Sequence, residues 1–258
     1  MFMTKEEREK FSKRLRGDLV LNCPKCHGTG FITKLVEDER GIKTEMSSHC
    51  SCVKKVEEKL RLLDAGLTYE SIRNWNVDKL KDKHYFSKIR NYIDNFNNNY
   101  AEGKGLFIHG RQGIGKTTVS CVIATEVSKI KPYFEQDRYS IGFIMFADVI
   151  ENSFDEKKKV LTQDLLFNSD LLILDNLGNE AGRNKDSQYA QRILEMILRK
   201  RHNKLLPTII TTNYELEEIE EMYNKDIHDF LIQNNDDIFF SDDNHRINSG
   251  DGENITDF

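Results

Sequence analysis

The sequence is short of the residues that loosen a chain. Only 3 prolines occur in 258 residues, and no serine- or glycine-rich tract is present, so a long flexible linker is not expected. No window comes near the roughly 18 consecutive apolar residues that a membrane-spanning helix needs. The opening stretch MFMTKEEREKFSKRLRGD is charged from its fifth residue and lacks the apolar core of a secretion signal. There is no internal repeat, and compositional bias is confined to the Asn/Asp-rich end. These absences favour a cytoplasmic address without a membrane partner. In that setting five cysteines bind metal or stay reduced rather than pair.

The length suggests one large domain, or a medium domain with a small appendage. Hydrophobic residues at 38% allow a real core, while charged residues at 31% give a highly charged surface. The net charge of −5 hides an asymmetry. After Asn213 there are 14 acidic residues against Lys225 and Arg246, so the rest of the chain is mildly basic. A basic body with an acidic end suits a protein that touches nucleic acid on one face. It equally suits an acidic solubilising or disordered terminus.

Residues 4–16 carry a weak helix signal, and VKKVEEKLRLLDAGL places Val56, Leu60 and Leu63 at helical spacing before Gly66. This second helix reads as a bridge to the main domain. From about residue 68, helices and strands alternate. YFSKIRNYIDNFNNNY is helical with Tyr85, Ile89, Ile93 and Phe96 on one face, and SQYAQRILEMILRKRH aligns Tyr189, Ile193 and Ile197. GLFIHG, IGFIMFAD, LLILD and PTIITTN are short apolar runs. Near-continuous apolar strands separated by amphipathic helices predict a parallel sheet covered on both faces.

GLFIHGRQGIGKTTV contains Gly110-x-x-x-x-Gly115-Lys116-Thr117, the Walker A spacing, between a strand and a helix. Gly113 and Gly115 would let backbone N–H groups turn inward around phosphate oxygens, and the helix start would add its positive end. Lys116 would reach the β- and γ-phosphates and the Thr117 hydroxyl would ligate Mg²⁺. Gly110, Gly113, Ile114, Gly115, Lys116, Thr117 and Thr118 are therefore the expected ATP-binding residues. Asp175, ending LLILD, fits a second Mg²⁺ ligand on a neighbouring strand. Asn213, ending PTIITTN, could bond the attacking water or the γ-phosphate.

Cys23-x-x-Cys26 and Cys50-x-Cys52 are separated by 23 residues. Between them GFITKLV and GIKTEMS flank EDER, which reads as a hairpin. Two thiol pairs at the ends of a hairpin can close a tetrahedral structural Zn²⁺ site, with His27 and His49 as possible substitutes. A segment this small would draw its folding energy from the metal. Four thiolates leave no open coordination position, so the segment reads as a partner-binding adaptor. Cys121, in the helix after the phosphate loop, reads as buried packing.

The cysteine module, the helical link and the series GLFIHGRQGIGKTT, LLILDNLGNE and LPTIITTN resemble the DnaC/DnaI-type replicative helicase loaders. These are AAA+ ATPases, grouped with the related IstB transposition helpers. The likeness covers nearly the whole chain and is strongest over 105–214. The zinc-binding front end favours a loader over a transposition helper, which usually lacks it. The resemblance implies an α/β fold: an AAA+ P-loop NTPase with a central parallel sheet flanked by helices, plus a small zinc-binding domain. The expected boundaries are a helix and cysteine module over 1–53, a linker helix over 54–67, the ATPase domain over 68–235 and an acidic tail over 236–258. The family implies ATP-dependent self-assembly, a grip on single-stranded DNA, and a hexameric replicative helicase held by the N-terminal module. Lys157, Lys158, Lys159, Arg183 and Lys185 are candidate DNA contacts.

Two departures from the family pattern bear on catalysis. Asn176 stands where a second acid usually follows Asp175, and an amide can orient water but not take its proton. Glu180 also matches the pattern and is an alternative catalytic group. The stretch LEEIEEMYNKDIHDFLIQ holds no arginine, where the family usually supplies a finger to its neighbour. Arg201 and Arg246 are the possible sensor or finger residues. An arginine finger is worth on the order of 10³-fold in rate, so ATP hydrolysis is expected to be slow or partner-stimulated. Two alternatives stay open: an IstB-like ATP-binding transposition helper, and a nucleotide-gated DNA- or protein-binding switch that does not hydrolyse ATP.

Overall fold

The apolar runs assemble into one parallel sheet, and the cysteine segment folds apart from it. The computed structural model describes residues 4–241 except 38, 40, 75–76, 81–82, 134–137 and 180–186. The chain divides into two units, Met1–Arg73 and Asn74–Phe258.

In the first unit, α1 (Lys5–Arg16) starts at a reciprocal cap. Thr4 Oγ1 accepts from the Glu7 N–H, and the Glu7 carboxylate accepts from the Thr4 N–H. One π turn, Gly17–Leu21, follows. β1 (Phe31–Glu37) and β2 (Lys43–His49) form the antiparallel hairpin foreseen around EDER, running from Phe31 opposite His49 to Glu37 opposite Lys43. Both strands are largely exposed, so this hairpin builds no core of its own. α2 (Ser51–Asp64) buries Val56, Leu60 and Leu63 as its spacing implied, together with Leu62. Anticipated as a bridge, α2 packs on α1 inside the first unit. α3 (Tyr69–Asn74) comes last.

The second unit opens with α4 (Phe86–Asp94) and α5 (Phe96–Glu102). The periodicity predicts a single helix here; the backbone breaks at Asn95, yet Tyr85, Ile89, Ile93 and Phe96 are all buried. Then come β3 (Gly105–Gly110), α6 (Lys116–Val127), β4 (Ile141–Met145), α7 (Phe146–Asn152) and α8 (Glu156–Asn168). β5 (Leu171–Leu177), α9 (Ser187–Asn203), β6 (Thr208–Thr212), α10 (Leu216–Met222), α11 (Lys225–Asn234) and β7 (Asn235–Phe240) complete it. The strands lie in the order β4-β5-β6-β3-β7, each neighbouring pair parallel. β3 and β6 are buried along their whole length, as is β5 apart from Asn176, which explains why their sequences do not alternate. One core cluster joins Phe107, Leu172, Leu174 and Ile210 of the sheet to Leu194 and Ile197 of α9. Each such side chain contributes roughly 1.5–3 kcal/mol by burial, which fixes the strand ends where the site is built.

β7 departs from expectation. Residues read as the start of an acidic tail form the edge strand, paired with β3 from Gly105 opposite Asn235 to Gly110 opposite Phe240. Asp236 and Asp237 are exposed, whereas Ile238 and Phe240 are buried. Lys88 Nζ donates to the Asp237 carbonyl at 3.1 Å, placing a cation on the open edge, a common guard against edge-to-edge pairing. The rest of the expected tail, 242–258, lies outside the described residues.

Candidate functional site

β3 runs into the loop Arg111–Gly115, and α6 begins at Lys116. Gly110, Gly113 and Gly115 hold φ of 131°, 87° and 97°, in the region that favours glycine. A side chain at Gly110 would also collide with the Phe240 carbonyl. At Gly115 the space is open, so backbone conformation alone requires glycine there. Ile114 is fully buried and anchors the loop, while Thr118 is half-buried on the first turn of α6. The loop thus sits at a helix start whose unpaired N–H groups and positive end favour an anion.

Lys116 is buried and donates to the Gly110 and Arg111 carbonyls at 2.6 and 2.7 Å. Burial outweighs the attraction of Asp175 and Glu215 and pulls its pKa down to about 8. Thr117 Oγ1 lies 3.0 Å from both carboxylate oxygens of Asp175. Asp175 is only 4% exposed, and burial raises its pKa against the lowering effect of its bonds to Thr211 and Thr117. A hydroxyl and a carboxylate, both hard oxygen donors, fit Mg²⁺.

The strand ends beyond Asp175 are irregular. Leu174 of β5 pairs with Ile210 of β6, but the next pair is Leu177 with Thr212, so Asp175 and Asn176 face the single residue Thr211. Asn176 occupies the bulge with φ of 62°, a left-handed conformation that asparagine tolerates better than most residues. Its N–H donates to Thr211 Oγ1 at 2.9 Å, and Thr211 Oγ1 lies 2.6 Å from Asp175 Oδ1. Asn213 Nδ2 donates to Asn176 Oδ1 at 3.2 Å. The fold therefore brings Thr117, on the first turn of α6, together with Asp175, Asn176 and Asn213 where β5 and β6 end.

Two residues were missed by sequence reasoning. Thr211 looks like any strand threonine until the register shows that it faces a bulge. His109, one residue before the loop, is buried with Nδ1 3.1 Å from Glu215 Oε2. Its Nε2 lies within ion-pair range of Asp237 Oδ1 at 3.0 Å, without hydrogen-bond geometry.

Arg201 is a correction to the finger candidates. It is 1% exposed, and its guanidinium donates to Thr208 Oγ1 and to the carbonyls of Leu166, Ser169 and Pro207 at 2.7–3.0 Å. Burial lowers its pKa to about 9 against the pull of Asp170. With four of its five N–H groups so engaged inside the domain, this side chain fastens α9 to the sheet and has no reach to a neighbour. Glu180, Arg183, Lys185 and Arg246 lie outside the described residues. Lys157, Lys158 and Lys159 occupy the first turn of α8, where Asp155 Oδ1 accepts from the Lys157 and Lys158 N–H groups. Phe154, 72% exposed, lies just before them.

The sulfurs of Cys23, Cys26, Cys50 and Cys52 all lie within 4.8 Å of one another, and all four residues are buried. Cys23 and Cys50 are 3.8 Å apart, Cys26 and Cys52 3.6 Å. A tetrahedron with Zn–S bonds of about 2.3 Å needs sulfurs about 3.8 Å apart, so the set fits Zn²⁺. A disulfide needs about 2.05 Å and does not fit. Backbone N–H groups of Cys26 and Lys25 pull the Cys23 thiol down to about 6. Burial, followed by the neighbouring thiols, pushes Cys52 up to about 12. Neither His27 nor His49 is in this cluster; the His49 ring lies 4.8 Å from that of Phe31. Cys121 is buried in α6.

No protein-family model matches the chain. The replicative helicase loader DnaI of Bacillus subtilis is 23% identical over 158 residues, 61% of this chain and 47% of that protein. The replicative helicase loader DnaC of Escherichia coli is 26% identical over 162 residues, 62% of this chain and 61% of that protein. The match thus spans about half to three fifths of these relatives. A solved structure, the crystal structure of the DnaC helicase loader, superposes with a TM-score of 0.55 at 25% identity, covering 67% of this chain and 99% of that one. The chain has the AAA+ P-loop NTPase fold together with a four-cysteine unit, and in sequence it is similar to the DnaC- and DnaI-type helicase loaders.

Proposed function

We propose that this chain is an ATP-dependent loader of a hexameric replicative helicase, in which ATP and Mg²⁺ binding orders self-assembly. One observation carries the reading: a glycine loop at a helix start lies beside the Thr117–Asp175 pair, in a chain whose relatives are helicase loaders. The loop amides and Lys116 would hold the β- and γ-phosphates, and Thr117 and Asp175 the metal. Asn213 would address the γ-phosphate or the attacking water. The four cysteines would bind structural Zn²⁺, and their unit would contact the helicase. Lys157, Lys158 and Lys159 would meet the phosphates of single-stranded DNA, with Phe154 offering a face on which a base can stack. Arg183 and Lys185 are further candidates for the same strand.

Hydrolysis on this reading is slow or partner-stimulated. Asn176 cannot accept a proton from water, and Arg201 is committed inside the domain. The Asn176–Asn213 bond favours a second reading, a nucleotide-gated switch that binds ATP without turning it over. Mixing the full chain with candidate replicative helicases, with and without ATP, tests the loader. An ATP-dependent complex is expected; none with any candidate, or a stable complex with a transposase instead, would sink it. Single-turnover hydrolysis with DNA and partner present, above a Lys116→Ala control, separates enzyme from switch.

A further inference from the structure

We infer that Thr211 is a positioning residue of the nucleotide site, tying the metal-binding carboxylate of Asp175 to the bulge that presents Asn176. The inference rests on the nucleotide reading above and adds a residue that the motifs do not contain. At the bulge Asn176 loses its place in the β5–β6 ladder, and its N–H needs another acceptor. Thr211 Oγ1 supplies it at 2.9 Å. A hydroxyl has one proton, so while its oxygen accepts from Asn176 its own proton is free for Asp175 Oδ1, 2.6 Å away. At 1% exposure, Thr211 meets little competition from water for either bond.

The second hydroxyl on Asp175 behaves differently. Thr117 is exposed and bonds both carboxylate oxygens, but a bound Mg²⁺ would take its oxygen as a ligand. Thr211 is the donor that can stay in place when the metal arrives. It holds Oδ1 and so fixes the orientation of the carboxylate that would hold Mg²⁺. Through Asn176 the same hydroxyl reaches the Asn213 amide, so metal ligand and strand-end amides share one support. A threonine present only for its β-branched shape would be replaced by valine without consequence.

The test uses the full chain, a fluorescent ATP analogue and Mg²⁺ titrated at fixed nucleotide, with Mn²⁺ binding followed by electron paramagnetic resonance. Thr211→Val should raise the half-saturating Mg²⁺ and the Mn²⁺ dissociation constant about tenfold or more, the usual cost of removing a partner behind a metal ligand. Nucleotide binding in EDTA should stay within about twofold, and Thr211→Ser should restore metal binding. Thr211→Ala, checked by circular dichroism, gives the same comparison if the valine variant does not fold. Unchanged metal dependence in Thr211→Val overturns the inference, as does an equal loss in Thr211→Ser. A wild-type chain that binds no nucleotide overturns the nucleotide reading and this inference with it. A metal-dependent wild type with an indifferent Thr211→Val overturns this one alone.

Discussion

Asn213, just past the end of β6, donates its side-chain amide to the side-chain oxygen of Asn176 near the end of β5, 3.2 Å away. Two amides thus face each other here, and neither can take a proton from water. Asn176→Asp should raise ATP turnover about tenfold or more, because a general base contributes 10²- to 10⁴-fold when well placed. Its left-handed backbone suits aspartate as well as asparagine. Steady-state hydrolysis measured against Lys116→Ala checks this. An unchanged rate would locate the base elsewhere, with Glu180 the first residue to substitute.

Lys116 is held by two carbonyls, and burial depresses its pKa to about 8. The unfolded chain binds that proton more tightly, so the charge works against stability below the folded value. Between about pH 8 and 10.4 stability should rise as this penalty is relieved. Lys116→Met should abolish ATP-induced stabilisation, about 2.7 kcal/mol at ligand one hundred times Kd. It should not lower the melting temperature of the nucleotide-free protein, and thermal melts with and without ATP read both effects.

The cysteine cluster predicts one Zn²⁺ per chain by elemental analysis. Cys26→Ser or a strong chelator should release it and unfold the Met1–Arg73 unit, since a structural metal supplies folding energy directly. Binding of ATP by the other unit should persist. Metal content that survives Cys26→Ser would exclude the four-sulfur site.

His109 predicts a pH dependence of a different sign. Burial alone would lower its pKa, but Asp237 and Glu215 outweigh it and raise the value. A raised folded pKa means stability present in full below the ordinary value of about 6.5 and lost as pH climbs through the folded one. The melting-temperature gap between wild type and His109→Gln should therefore be largest near about pH 6 and shrink toward about pH 9. A gap constant across that range would mean that folding leaves the imidazole's pKa unchanged.

Much of this was legible in the sequence because it is local. The phosphate loop, the hairpin between the thiol pairs and the buried face of α2 follow from spacing within a few turns, whereas on α9 Ile197 is buried but Tyr189 and Ile193 only partly so. What escaped depends on pairing across long separations. NDDIFF reads as acidic because Asp236 and Asp237 face solvent at an edge, and only partnership with β3 makes it a strand. Thr211 gains its role from a register slip in β5, and no local signal records where two strands fall out of step. Arg201 misled for the opposite reason: its charge suggests an exposed role, while its donors are engaged on backbone carbonyls inside the core.

The pairing of Gly110 with Phe240 also sets an order of events during synthesis. The phosphate loop leaves the ribosome 130 residues before the strand that completes its sheet. At about 5–20 residues per second that is a wait of roughly 6–26 s, with the apolar edge of β3 open meanwhile. A nascent chain of this protein should offer chaperones a sheet edge until Phe240 has emerged.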